Sequence, residues 1–169
     1  MKSIFIRYSL ALVVVIFSSL SLVFLMPLTL YFSYFLLNLF YNPTIIDSTI
    51  IINSFSFTII SACTALLAFV LLTELILFTR DIKLKLRIKL FITGFILIFL
   101  MNILRIFLLI FIYINFGKDY FNAIHLIYWH VISTIFVAIV WIFLVEYYKI
   151  KSIPLYDDIN LLIDYLEKR

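Results

Sequence analysis

The chain has 169 residues, 66% of them apolar or aromatic and only 13% charged, with a formal net charge of +4. A mean hydropathy of +1.24 leaves too little polar surface for a water-soluble globule of this size, and the same figures exclude disorder, collagen-like repeats and nucleic-acid binding through a basic face. What remains is an all-α integral membrane protein, because the apolar runs are far longer than a barrel strand needs. One cysteine precludes an internal disulfide, and one cysteine with two histidines falls short of a structural zinc set. Neither metal nor cofactor is expected.

In chain order, the first apolar run follows Arg7 and predicts a span over Tyr8–Met26, ending at Pro27. Residues 28–56 read as an outer segment. In it Leu28–Phe40 is a tilted continuation or interfacial piece, and the polar-flecked Tyr41–Ser56, with Asn42-Pro43, Asp47 and Asn53, is a loop with a short amphipathic element at most. Further spans are predicted over Phe57–Phe78, Leu90–Ile114 and Ile124–Tyr148. Residues 1–148 thus form one bundle of about four transmembrane helices, and 149–169 a polar tail. In that tail Ile159, Leu162, Ile163 and Leu166 share one helical face after Pro154, opposite Asp157, Asp158, Asp164 and Glu167, the pattern of a short amphipathic helix at an interface.

Basic residues set the orientation. Lys2 and Arg7 precede the first span; Arg80, Lys83, Lys85, Arg87 and Lys89 fill the loop after the second; Lys149, Lys151, Lys168 and Arg169 follow the fourth. Four spans put all three groups on one side, which the positive-inside rule makes cytoplasmic, and the opposite loops carry only Lys118. Both termini are therefore expected inside. The basic start followed by an apolar run also matches a signal peptide, but without a small-residue cleavage site at the right depth it reads as an uncleaved anchor. The loop Arg80–Lys89 reads as a topology determinant against anionic lipid rather than a nucleic-acid patch.

Charged groups deep in a span are costly and point to function. Glu74 and Glu146 lie near span ends, close to Arg80 and Lys149, where headgroups or a basic partner can satisfy them. Arg105 lies well inside the third span, one turn from Asn102 on the same face. With a helical rise of about 1.5 Å per residue, Arg105 stands roughly 24 Å above Lys89, Cys63 roughly 24 Å above Thr79 and His130 roughly 28 Å above Lys149. His125 comes out roughly 36 Å up, at or beyond the outer interface. Three different helices thus bring a thiol, a guanidinium and an imidazole to one level just beneath the outer surface. Singly, each has a plain structural use: a lone membrane cysteine packs as a small hydrophobe, and a histidine bonds a neighbouring helix. Together they are what thiol acyl transfer requires. A thiolate attacks and needs a cation nearby, imidazole moves the proton, and a guanidinium stabilises the thiolate or the oxyanion.

At Ala62-Cys63-Thr64-Ala65, Asn102-Ile-Leu-Arg105, and His130 followed by Ser133-Thr134, the chain resembles the exosortase/archaeosortase family of membrane cysteine transpeptidases. The likeness covers Phe57 to Trp141 in the order Cys, Arg, His; Ala65 matches the family's small residue after the cysteine, and Ser133-Thr134 replaces its usual glycine after the histidine. The chain is shorter than many members and looks like a minimal core. The resemblance implies a multi-pass enzyme of a prokaryotic cell membrane. Its substrates would be surface proteins with a C-terminal sorting signal (a short motif, a transmembrane helix and a basic cluster), cut at the outer face and passed to a lipid or other envelope acceptor. It also implies roles: Cys63 forms the thioester, Arg105 stabilises charge, His130 is general acid and base, and Asn102, Thr64 and Ser133 support them, Asn102 by orienting Arg105. A lateral opening for the substrate's own helix is expected. The competing reading is a non-catalytic membrane protein, a transporter or channel subunit or an assembly factor, in which Arg105 is structural or binds an anion.

Overall fold

A computed structural model describes residues 2–80, 82–128, 133–150, 152 and 154, the side chains of 2–4 and 133 excepted. It is mostly helical, as composition requires. The chain rises through α1 (Lys2–Phe17), a 3-10 turn (Ser18–Ser21) and α2 (Leu22–Asn38), then forms three strands, β1 (Thr44–Ile46), β2 (Thr49–Ile52) and β3 (Phe55–Thr58). A second 3-10 turn (Ser61–Thr64) leads into α3 (Leu66–Phe78), followed by α4 (Leu84–Phe116), α5 (Lys118–Ile127) and α6 (Ser133–Tyr147). The amphipathic helix predicted in the tail lies outside the described residues.

Among the described residues, two stretches are long and apolar enough to cross a membrane, Phe5–Asn38 and Leu84–Phe116, while α3 and α6 are shorter apolar helices. At about 1.5 Å per residue, the 33 residues of α4 reach roughly 50 Å. That exceeds the hydrocarbon core of about 30 Å, so α4 is long enough to cross it even when tilted. The outward surface of the bundle is apolar: Ile88, Ile92, Ile96, Leu100 and Leu104 form an exposed stripe along α4, which a protein in water would not present.

Pro27 does not end the first helix, contrary to expectation. It lies inside α2, which continues to Asn38. The irregularity falls earlier, where the Ser18 hydroxyl donates to Val15 O (2.8 Å) and that of Ser21 to Ser18 O (2.6 Å). Such short back-bonds tighten a turn into 3-10 geometry, and the carbonyls freed by proline are tolerated within an apolar bundle.

The outer segment differs more. Instead of a loop, 44–58 form a three-stranded antiparallel sheet in the order β1-β2-β3. Two-residue turns at Asp47-Ser48 and Asn53-Ser54 connect the strands, with Asp47 (φ 54°) and Asn53 (φ 55°) in the left-handed region that Asp and Asn tolerate best after glycine. Ile50 and Ile52 turn one face of β2 inward, joining Leu37, Ile59, Ile106 and Ile110 in a core cluster. The segment expected to span Phe57–Phe78 therefore begins as strand and 3-10 turn, and becomes helical at Leu66.

Helix α4 is the mast: α2, α3, α5, α6 and the second 3-10 turn all pack on it, and α1 packs on α3. Gly94 permits the closest approach. A Cβ there would stand 2.6 Å from Leu72 Cδ2 and 3.0 Å from Leu144 Cδ1, so its missing side chain brings α3 and α6 against α4, the use small residues serve between membrane helices.

At the opposite end from the sheet, the basic segments meet. Arg87 Nη1 donates to Ile76 O (2.8 Å) and Leu77 O (3.3 Å), and Nη2 to Thr79 O (2.8 Å). Arg7 Nη1 donates to Phe78 O (3.3 Å). Two guanidiniums thus cap the unpaired carbonyls that end α3. Arg80 N–H donates to Ser152 Oγ (3.1 Å), bringing the segment after α6 to the same end. Arg87 is therefore more than a topology marker. Glu74, expected to reach headgroups or a basic partner, has its Oε1 buried without a hydrogen-bond partner among the described residues.

Gly94→Val should lower the thermal unfolding midpoint in detergent, by an overpacking cost of about 1–3 kcal/mol. Gly94→Ala, which the flexible end of Leu72 can partly accommodate, should cost less.

Candidate active site

The second 3-10 turn carries Cys63. Its N–H donates to Ile60 O (2.8 Å), and the Thr64 hydroxyl, fully buried, donates to Ser61 O (2.7 Å). Ala65 then takes φ 54°, ψ 30°, a left-handed conformation that costs a residue with a Cβ about 1–2 kcal/mol. This reversal separates the turn from α3, so that Cys63 stands just before the first turn of a helix rather than in its flank. The conformation also explains why a small residue belongs at position 65: a larger or branched side chain would add to the strain.

Across from the turn, α4 presents Asn102 and Arg105. The Asn102 side chain is buried, and its Nδ2 donates to the carbonyl of Cys63 (2.8 Å). Asn102, which the resemblance makes a supporting residue, bonds the backbone beside the sulfur through its amide, because the 3-10 turn and Ala65 leave that carbonyl outside any helical ladder. Arg105 is half-buried and stands within electrostatic range of the Cys63 sulfur and the Tyr128 hydroxyl. Among the described residues, Asn102 Oδ1 and Arg105 Nε are buried without a hydrogen-bond partner.

Arg105 borders three cavities. The largest, about 780 Å³, also holds Cys63 and is walled by Ser56–Ile60 of the β3 segment, by Ile106, Leu109, Ile110 and Tyr113 of α4, and by Phe121, Asn122, His125 and Leu126 of α5. A second, about 390 Å³, is an apolar groove between Leu22 of α2, Ser61, Ala62 and Ala65 of the turn, residues 66–68 and Leu71 of α3, and Thr134 and Val137 of α6. A third, about 30 Å³, lies among Asn102, Arg105, Tyr128 and residues of α3, α4 and α6. Tyr113 fixes the first cavity's shape, packing edge-on against Phe55 (5.5 Å), Phe57 (5.2 Å) and Phe121 (5.4 Å) and so joining sheet, α4 and α5.

Of the predicted trio, Cys63 and Arg105 meet in one cavity. His130 lies outside the described residues, as does the side chain of Ser133. His125 lines the same cavity as Cys63, and its ring stacks on Phe121 at 5.4 Å. Helical rise from Lys149 puts His125 at or beyond the outer interface, above Cys63, and the cavity reaches from one to the other. Gly117 (φ 88°) reverses the chain after α4, and α5 packs back along it. The β3 wall also went unread, although the run of Ile and Thr broken by Asp-Ser and Asn-Ser carries the signal of two tight hairpins.

The profile of the transmembrane exosortase (Exosortase_EpsH) family matches residues 2–147, most of the chain. The chain belongs to this family. No curated protein and no solved structure gives a significant match. Membership, with the two long apolar helices, makes this exosortase a membrane protein with a transpeptidase- or protease-like role. In this exosortase the family match takes in both the cysteine turn and the Asn102–Arg105 face of α4.

Asn102→Leu should destabilise the protein by about 1–3 kcal/mol, since the Cys63 carbonyl is left without its donor; thermal unfolding in detergent measures it. Ala65→Gly should raise the midpoint by relieving the left-handed strain, whereas Ala65→Val should lower it.

Proposed function

We propose that this exosortase is a membrane-embedded cysteine transpeptidase that cleaves the C-terminal sorting signals of surface proteins near the outer membrane face and transfers them to an envelope acceptor. The observation that carries the reading is the cavity that Cys63 and Arg105 share. In this reading the Cys63 thiolate attacks the scissile carbonyl. Arg105 stabilises first the thiolate and then the oxyanion of the tetrahedral intermediate. The C–N bond breaks, His130 gives the leaving amine its proton, and a thioester to Cys63 remains. His130 then takes the proton of the incoming acceptor nucleophile, which attacks the thioester and releases the Cys63 thiolate beside the protonated imidazole.

Support for His130 comes from its flanks. Tyr128 and Thr134, on either side of residues 129–132, each border a cavity that Arg105 also borders. The apolar groove of about 390 Å³ suits the lateral opening that a substrate's own transmembrane helix requires. In the same reading residues 1–148 form one four-span catalytic domain of a prokaryotic plasma-membrane protein, with both termini and the tail 149–169 cytoplasmic. The convergence of Arg7, Arg80, Arg87 and Ser152 at one end supports it.

Cys63→Ala and Cys63→Ser should abolish processing of a co-expressed substrate while leaving insertion intact, and Arg105→Ala should reduce it by about two to three orders of magnitude. A His130→Ala variant should form the Cys63 thioester about two to four orders of magnitude more slowly, because the leaving amine loses its proton donor; mass spectrometry of the Cys63 adduct measures it. Unchanged processing by Cys63→Ala would return Arg105 to a structural or anion-binding role.

A further inference from the structure

One wall of the large cavity is the margin of the sheet. Ser56, Phe57, Thr58, Ile59 and Ile60 line it in unbroken succession. Strand side chains alternate between faces, so a cavity against one face would collect every second residue. Three consecutive residues of β3, Ser56 to Thr58, followed by Ile59 and Ile60, mean that the cavity runs along the edge of the strand. β3 is the terminal strand, with its other edge on β2.

The ladder shows which backbone groups that edge presents. Ile59 N–H donates to Ser48 O (2.8 Å), extending the register Thr49↔Thr58 by one residue and making Ser48 and Ile59 a hydrogen-bonded pair. Bonded and non-bonded pairs alternate along an antiparallel ladder. The N–H and C=O of Phe57 therefore turn toward β2, and those of Ser56 and Thr58 turn toward the cavity. The Thr49 and Thr58 hydroxyls lie 3.0 Å apart, the closeness of side chains in a non-bonded pair. Each of these two outward-facing residues thus offers one donor and one acceptor, separated by roughly 7 Å along the strand. Five residues beyond Thr58 stands Cys63.

We propose that β3 receives the substrate as an added strand: the extended peptide next to the scissile bond pairs its backbone with Ser56 and Thr58, and this pairing delivers the carbonyl to Cys63. Unpaired strand edges recruit extended peptides through main-chain bonds, and the volume falls within the range of about 300–1,000 Å³ typical of ligand sites. A lipid acyl chain fits this wall poorly, since it cannot answer the N–H and C=O groups that the edge presents. The apolar groove on the other side of Arg105 suits such a chain better. The proposal rests on the reading of Cys63 as nucleophile and adds how its substrate is held: by main chain, with side-chain preference left to the flanking walls at Tyr113, Asn122 and His125.

The full chain in detergent, treated with acetyl-Ala-Ala-Ala chloromethyl ketone, tests it. The Cys63 thiolate displaces chloride to form a thioether, which mass spectrometry counts. N-methylation of the second or of the third alanine from the reactive end should act unequally, one slowing alkylation roughly two- to tenfold and the other leaving it near the parent rate, the loss of one hydrogen bond. Equal rates for the two methylated reagents would overturn the proposal. Ser56→Pro removes an outward N–H at a place where an edge strand accommodates proline. It should slow the peptide reagent by the same factor relative to iodoacetamide, and an unchanged ratio counts against strand addition. If an alkyl chloromethyl ketone outpaces the peptide, indifferent to Ser56→Pro, the cavity holds an acyl chain and the proposal fails. The outcome is separable from the function itself: loss of processing in Cys63→Ala with flat N-methyl behaviour discards only the strand pairing. Intact processing with an alternating pattern discards only the nucleophile.

Discussion

The hydrogen bond from Asn102 Nδ2 to the Cys63 carbonyl is the constraint on which the site depends. Within an apolar bundle a backbone carbonyl must find a partner or cost several kcal/mol, and regular helix is the usual answer. Here the chain leaves helix for a 3-10 turn and a left-handed Ala65, which frees a carbonyl at the sulfur-bearing residue. A buried amide on α4 satisfies it. The bond therefore does two things together: it makes an irregular turn tolerable inside the bundle, and it ties that turn to the helix that carries Arg105 one turn further on.

The rest of the architecture holds the two sides of this bond in place. α4 can be the common neighbour of so many elements because Gly94 lets Leu72 and Leu144 close on its axis. The other end of α3 is anchored by Arg87 and Arg7, whose guanidiniums occupy carbonyls 76 to 79. α3 is thus held at its start by Asn102 acting on the preceding turn and at its end by arginine. Above, the Tyr113 ring joins β3 and α5, so that the cavity over Cys63 has walls of sheet on one side and helix on the other. A helix wall presents only side chains, whereas a strand edge also presents main-chain groups, and this difference underlies the assignment of β3 as a peptide-binding edge.

Much of this was legible in the chain. Hydropathy alone announces a helical membrane protein, and the spacing of charges picks out Arg105 as the group that the bilayer tolerates least. Counting helical rise from the basic boundaries brings Cys63 to the height of Arg105, and the two do share a cavity. The same count sets His125 higher, at or beyond the outer interface, and only the packing of α5 along α4 shows that it lines the cavity that holds Cys63. Pro27 looked like a helix end because in water it usually is one; packed within an apolar bundle, the helix runs through it. Residues 41–56 read as loop on the strength of their Asn, Asp and Pro, yet Thr, Ile and Phe between two Asx turns are strand-forming, and the apolar support of Leu37, Ile106 and Ile110 makes the sheet stable.

By itself, the sequence determined the class of protein, the family, and the residue types available for chemistry, since these depend on composition, order and local period. Tertiary structure decided which groups meet: that Asn102 serves the Cys63 carbonyl, that Arg87 caps a neighbouring helix, and that β3 turns a free edge into the cavity. The reason is physical. Hydropathy and helical rise act along the chain and are legible residue by residue, whereas a hydrogen bond between residues 63 and 102 is chosen by which backbone group is left without a partner once the helices have packed.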